Sequence, residues 1–135
     1  DTFQLATGVL FQSPVQMFAL TPNNLHDAPD FAIDFMRGIP TLWDETRFIN
    51  GYPGRFSVVA RRNGDLWYVA GVNAESEAKQ LTLDLPMLAG QTVALYYDDA
   101  EANPLRELVR ISADGTASVT MQPRGGFVLT TKFQN

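Results

Sequence analysis

With 135 residues, 45% of them hydrophobic and 19% charged, the chain has the size and balance of a globular domain that buries its own core. It has no cysteine, which excludes disulfides and thiolate metal sites. A net charge of −5, with Arg61-Arg62 as the single adjacent basic pair, argues against a nucleic-acid partner, and no apolar run approaches the roughly 20 residues of a membrane-spanning helix.

The chain opens "DTFQLATG", with helical spacing from its first residues, and reads as a segment of a longer polypeptide. Residues 1–38 are helical in pattern. Phe3, Leu5, Val9 and Leu10 form a loose apolar stripe, and Ser13 before Pro14 is a helix-start signal. "TPNNLHDAP" is a loop by composition, and "PDFAIDFMRG" predicts a short helix with Phe31 and Phe35 on one side and Gly38 at its stop. In "IPTLWDETRFINGYPGR" (39–55), Pro40 ends the helix, and Gly51, Pro53 and Gly54 predict a turn before the first long strand.

From about Thr46 the apolar period becomes two. "RFSVVARR", "LWYVAGVNA", "KQLTLDL", "TVALYYDD", "ELVRIS", "ASVTMQ" and "GFVLTTK" follow as strands. Asn63-Gly64 predicts a hairpin, Asp114-Gly115 a second, and Arg124-Gly125-Gly126 a further turn. The expected fold is mainly β: an antiparallel β-sandwich of about 7–8 strands preceded by two or three short helices. The expected organisation is a helical segment, 1–45, and a sandwich domain, 46–135.

No complete catalytic, cofactor-binding or metal-binding set emerges. Asp44-Glu45 is the best carboxylate pair, yet glycosidase carboxylates face each other across a substrate at about 5–10 Å, whereas neighbours on an extended chain point apart. A junction role fits them better. His26 is the only histidine, in a polar loop beside Asp27 and Asp30, where a metal site needs three converging ligands. Counting alone leaves a Ser-His-Asp triad open, but no GxSxG elbow is present. "YYDDAEAN" (96–103) is rich in oxygen ligands without the calcium-loop spacing and reads as an acidic hairpin turn. "RGGF" has no helix after it and is not a phosphate loop. In the pairs Trp67-Tyr68 and Tyr96-Tyr97 one ring of each should face outward; Trp67 and Tyr96 are the candidate sugar-contacting residues of an alternative reading, a carbohydrate-binding module.

Read together, "SPVQMFAL" and "PDFAIDFMRGIPTLWDETRFINGYPGRFSVVARRNGDLWYVAGVNAE" resemble the C-terminal region of glycoside hydrolase family 97. Ser13, Pro14, Gln16 and Met17, then Trp43 to Thr46, Gly51, Gly54, Arg61, Gly64, Trp67 and Tyr68 carry the resemblance, and the late "GGF" fits it. Gln12 departs from it, standing where the family has Glu. The resemblance implies a parent α-glucosidase or α-galactosidase with an N-terminal β-sandwich, a (β/α)8 barrel and a C-terminal sandwich. Its catalytic carboxylates and calcium ligands lie upstream, and none maps onto this chain. The implied role is a non-catalytic accessory region, with Trp43, Asp44 and Glu45 tying the end of a TIM-type barrel to the sandwich. The implied partners are the upstream barrel, oligosaccharide through the parent, and a second copy. A periplasmic or cell-envelope location in a Gram-negative bacterium is also implied. With the barrel absent, the stripe of Phe3, Leu5, Val9, Leu10, Met17 and Phe18 is expected to pair with another chain.

Overall fold

The computed structural model describes residues 2–10 and 28–132. Among these residues two α-helices, α1 (Thr2–Leu10) and α2 (Asp30–Gly38), precede eight strands. The strands are β1 (Glu45–Tyr52), β2 (Phe56–Asn63), β3 (Leu66–Asn73), β4 (Lys79–Asp84), β5 (Thr92–Asp98), β6 (Pro104–Arg110), β7 (Thr116–Met121) and β8 (Gly126–Thr130). Six form one antiparallel sheet in the order β1-β2-β3-β8-β5-β6, and β4 pairs with β7 in a second, two-stranded sheet. The mainly β, sandwich-type fold expected from the sequence is the fold observed. The Ser13-Pro14 start signal, the loop around His26, Met17 and Phe18 lie outside the described residues.

The large sheet is the middle of three layers. On one face Val58, Val69, Phe127 and Leu129 meet Leu81, Leu83 and Met121 of the small sheet. On the other, Tyr68, Ala70, Tyr96 and Val128 meet Leu5, Ala6 and Val9 of α1 and Phe35 of α2. Coverage of both faces explains the sequence of β8: every one of its residues is buried, so it reads as a continuous apolar run rather than an alternation. β4 has one covered face and alternates, with Leu81 and Leu83 in and Thr82 and Asp84 out. In α2, Asp30 in the first turn and Arg37 in the last match the helix dipole, and Ile39 is already extended ahead of Pro40.

The structure departs from the sequence reading in three places. The stretch "ETRFINGY" is a strand, β1, although only the turn after it was expected. It is an edge strand with little burial, so it lacks the apolar period that marks the others. The turn at Asp114-Gly115 does not close the expected hairpin, whereas Arg124-Gly125-Gly126 is a turn as expected. The first carries the chain from β6 in the large sheet to β7 in the small one, and the second returns it to β8. Turn chemistry marks a reversal but not the strand that will be paired. Finally, the α1 stripe is not open for a second copy. Leu5 is 3% and Val9 0% exposed, because the helix lies across β3 and β8 of its own chain.

Candidate functional site

The residues singled out between Trp43 and Trp67 converge where the helical segment joins the sheet. The Asp44 N–H donates to the Arg62 carbonyl at 2.7 Å, and the Gly64 N–H donates to Asp44 Oδ2, also at 2.7 Å. Gly64 sits at φ +58° in the β2–β3 turn, a conformation glycine adopts without strain, so its N–H is held toward that carboxylate. Arg62 reaches both acids: Nη1 is 3.9 Å from Asp44 Oδ2 and Nε 3.5 Å from Glu45 Oε1. Glu45 also pairs with Arg47. The hydrogen bond from Arg47, followed by the charges of Arg47 and Arg62, holds the Glu45 carboxyl below the usual carboxylate range against the opposing effect of desolvation. Both carboxylates are thus engaged by cations and an amide on one edge of the sheet. They form a latch between the start of β1 and the β2–β3 hairpin.

Beneath the latch, Trp43 meets Tyr68 edge-on with centroids 5.3 Å apart, and the Arg61 guanidinium lies 5.5 Å over the Trp43 ring. The Trp43 indole N–H is buried without an acceptor among the described residues. Arg61 is only 5% exposed. Its Nη1 donates to the Val9 carbonyl at 2.9 Å and its Nε to Thr46 Oγ1 at 3.1 Å, so one side chain joins α1, β1 and Trp43. At the opposite end of α1, the Thr2 N–H donates to Asp98 Oδ1 at 3.0 Å and the Thr2 hydroxyl to the same oxygen at 2.7 Å. An anion at the N-terminus and a cation at the C-terminus complement the helix dipole. Gly126 completes the seat: a Cβ there would stand 2.6 Å from the Gly71 carbonyl oxygen and 3.2 Å from Phe3 Cα, so α1 approaches β8 only because that position has no side chain.

Arg61 was read as half of a basic pair and as one residue of the family resemblance, and Asp98 as part of an acidic turn; neither was expected to hold α1. The available signal was parity: Arg61 shares its sheet face with Tyr68, its cross-strand partner, and that face is covered.

The candidate sugar contacts fare differently. Tyr96 is 5% exposed, with Phe35 at 5.0 Å and Phe31 at 5.9 Å between ring centroids, so the expectation that it faces outward is corrected: α2 covers it. Trp67 is half-buried against the sandwich core, with the Arg47 guanidinium 5.1 Å over its ring. Among the described residues, the aromatics most open to solvent are Phe48 and Tyr52 on the edge strand β1, at 69% and 61% exposure.

The acidic loop is a self-contained turn. Asp99 accepts hydrogen bonds from the Asn103 N–H, from Asn103 Nδ2 and from the Glu101 N–H, which hold its carboxyl below the usual range against desolvation. No group of three or more His, Asp or Glu side chains is placed to hold a metal ion among the described residues, so calcium, implied for the parent, has no fitting ligand set here. No helix among the described residues is long and apolar enough to cross a membrane.

Comparison with known proteins places this arrangement. A family model described as "Glycosyl-hydrolase 97 C-terminal, oligomerisation" matches residues 42–132, from just before Trp43 to just past the last strand. The chain is 36% identical to a retaining alpha-galactosidase of Bacteroides thetaiotaomicron, covering 96% of this chain and 20% of that protein. Its fold matches a crystal structure of a beta-arabinopyranosidase with a TM-score of 0.93 and 52% identity, over 97% of this chain and 21% of that one. It matches a family 97 enzyme from Pseudoalteromonas sp. strain K8, in complex with panose, with a TM-score of 0.82 and 27% identity, over 96% and 22%. The chain therefore spans about a fifth of the length of each of these proteins.

Proposed function

This chain belongs to the glycosyl-hydrolase 97 C-terminal, oligomerisation family, and from that premise we propose that it joins copies of a glycoside hydrolase into a dimer while doing no chemistry itself. The observation that carries the non-catalytic part of this reading is the engagement of Asp44 and Glu45: Asp44 is held by the Gly64 amide and Arg62 of the β2–β3 hairpin, and Glu45 by Arg62 and by Arg47 of its own strand. A glycosidase needs two carboxyls free to act on one bond from opposite sides.

The larger upstream part of the parent carries the active site, its carboxylates and any calcium. The names of the relatives favour a retaining enzyme acting on α-galactosides or arabinopyranosides, with oligosaccharide reaching the parent rather than this chain. The barrel end is the intramolecular partner, and Trp43, Asp44 and Glu45 fix the path by which the chain leaves it. A periplasmic or envelope location belongs to the same reading. No observation favours the carbohydrate-binding alternative, since Tyr96 lies under α2 and Trp67 carries Arg47 on its ring.

The test has two arms. Incubated with aryl α-galactosides and aryl arabinopyranosides, the chain should give no turnover above buffer; turnover abolished by Asp44→Asn or Glu45→Gln would overturn the non-catalytic assignment. Sedimentation equilibrium should return a dimer mass at micromolar concentration, and a monomer there would overturn the self-association reading.

A further inference from the structure

Asn50 and Asn63 are each followed by glycine, and these are the two Asn-Gly pairs of the chain. Such a pair can modify itself: with no side chain on the second residue, its backbone nitrogen can reach the carboxamide of the first. We propose that Asn50 is a self-modification site, converting through a succinimide to aspartate and isoaspartate, and that the Asp44 latch protects Asn63 from the same reaction. Nothing in this depends on whether the chain self-associates.

At Asn50 the reacting groups already touch. The Gly51 nitrogen lies 2.8 Å from Asn50 Oδ1, one bond from the carbon it must attack. A nucleophile held against its target needs little further ordering. Its N–H donates to that oxygen, which draws electrons from Cγ. Among the described residues, no other hydrogen bond holds the Asn50 carboxamide. The backbone around it has room to adjust: β1 is an edge strand bonded only to β2, and its register breaks between Phe48 and Asn50, leaving Ile49 as an extra residue in the ladder.

Asn63 has the same neighbour, and a more exposed one, yet both of its reacting groups are engaged elsewhere. Asn63 Nδ2 donates to the Leu42 carbonyl at 2.9 Å, and the Gly64 N–H donates to Asp44 Oδ2 at 2.7 Å. The first bond fixes the carboxamide. The second sets a carboxylate beside the nitrogen that must lose its proton, where another negative charge is disfavoured.

The step balances without oxidant or reductant. Solvent base takes the Gly51 amide proton, the nitrogen attacks Asn50 Cγ, and the Cγ–Nδ2 bond breaks, Nδ2 leaving as ammonia with a proton from solvent. The succinimide then takes up one water. Opening at Cγ gives aspartate, and opening at the backbone carbonyl gives isoaspartate. The second half of β1, "FINGY", carries no charge, and either product places one there. Isoaspartate also lengthens the backbone just ahead of the pairs Gly51 with Ser57 and Tyr52 with Phe56. A larger residue at position 51 would not relieve the pair cheaply, since a Cβ there would stand 2.8 Å from the Phe56 carbonyl oxygen.

The 135-residue chain, folded and separately unfolded in guanidinium chloride, is aged in mildly alkaline buffer and digested with trypsin, which releases Asn50 in residues 48–55 and Asn63 in residues 63–79. Mass spectrometry reads the replacement of an amide NH2 by OH in each peptide, and fragment ions separate Asn63 from Asn73. In the folded chain Asn50 should convert at least about tenfold faster than Asn63, the ratio expected when one site must first give up two hydrogen bonds of ordinary net strength. In denaturant the two rates should converge. Asp44→Ala, checked for folding by circular dichroism, should raise the folded rate at Asn63 and leave Asn50 unchanged. An Asn50 that ages no faster than Asn63 in the folded chain overturns the proposal. So does a ratio that persists in denaturant, which would assign it to flanking sequence rather than to the fold. An Asn63 rate unmoved by Asp44→Ala overturns the protective role of the latch.

Discussion

Replacing Asp98 by Ala removes the anion that holds the start of α1. The variant leaves the Thr2 N–H and hydroxyl, now bonded at 3.0 and 2.7 Å, without their acceptor in a buried position. Loss of a helix N-cap costs about 0.5–2 kcal/mol, and a charged acceptor with a favourable dipole contact lies at the upper end or beyond. These effects overlap, and relief of the buried carboxylate's desolvation offsets part of them, so about 2–3 kcal/mol is expected. Whether α1 then peels away is a comparison of magnitudes. Leu5 and Val9 are 3% and 0% exposed, and burying each is worth about 1.5–3 kcal/mol, so detachment would cost on the order of 5 kcal/mol before the uncovered sheet face is counted. The packing outweighs the lost cap. The helix should stay docked, and urea unfolding followed by far-UV circular dichroism should remain one transition with a lowered midpoint. Asp98→Asn, which keeps an acceptor oxygen, should lose less. An Asp98→Ala protein within about 0.5 kcal/mol of wild type would refute the cap's role, and a separate early transition would refute the ranking of packing over capping.

Gly126→Ala should destabilise by at least about 2 kcal/mol, because the new methyl meets the Gly71 carbonyl oxygen at 2.6 Å and the α1 backbone near Phe3; denaturant midpoints check it. Tyr68, buried between Trp43 and Phe35, has its phenol pushed up from 10.0 to about 12 by that burial. The neutral form is therefore favoured in the fold, and the stability it lends is complete below pH 10 and lost as pH rises toward 12; alkaline unfolding should coincide with a tyrosinate absorbance step that Tyr68→Phe diminishes. Glu75 has its carboxyl lowered from 4.5 by hydrogen bonds from Lys79 and then Arg55, so its contribution is present above that pH and lost as pH falls below it. The urea midpoint should drop on acidification below about 4.5 at low salt, and Glu75→Gln should flatten that slope; an unchanged slope counts against the ion-pair pair of Arg55 and Lys79 on Glu75.

Local chemistry was enough to read most of the strands, the helix ending at Gly38 and the hairpin at Asn63-Gly64. Each rests on contacts within a few residues: alternation against a covered face, a breaker, or a turn needing positive φ. That the motif from Trp43 to Thr46 lies between a helix and the strands was legible for the same reason, since a proline before it and an alternating run after it bracket a change of structure. Two things depended on residues far apart in sequence. Pairing is one: β8 lies between β3 and β5, and β7 crosses to β4, because sheet order follows which apolar faces can be covered together. The other is the fate of single polar and aromatic side chains. Asp98 meets Thr2 across 96 positions, Arg61 meets Val9 across 52, and Tyr96 is closed off by α2 rather than open to sugar. Periodicity assigns a residue to a face, but only the packed chain decides whether that face meets solvent, a helix end or another ring, because burial is a property of what lies opposite.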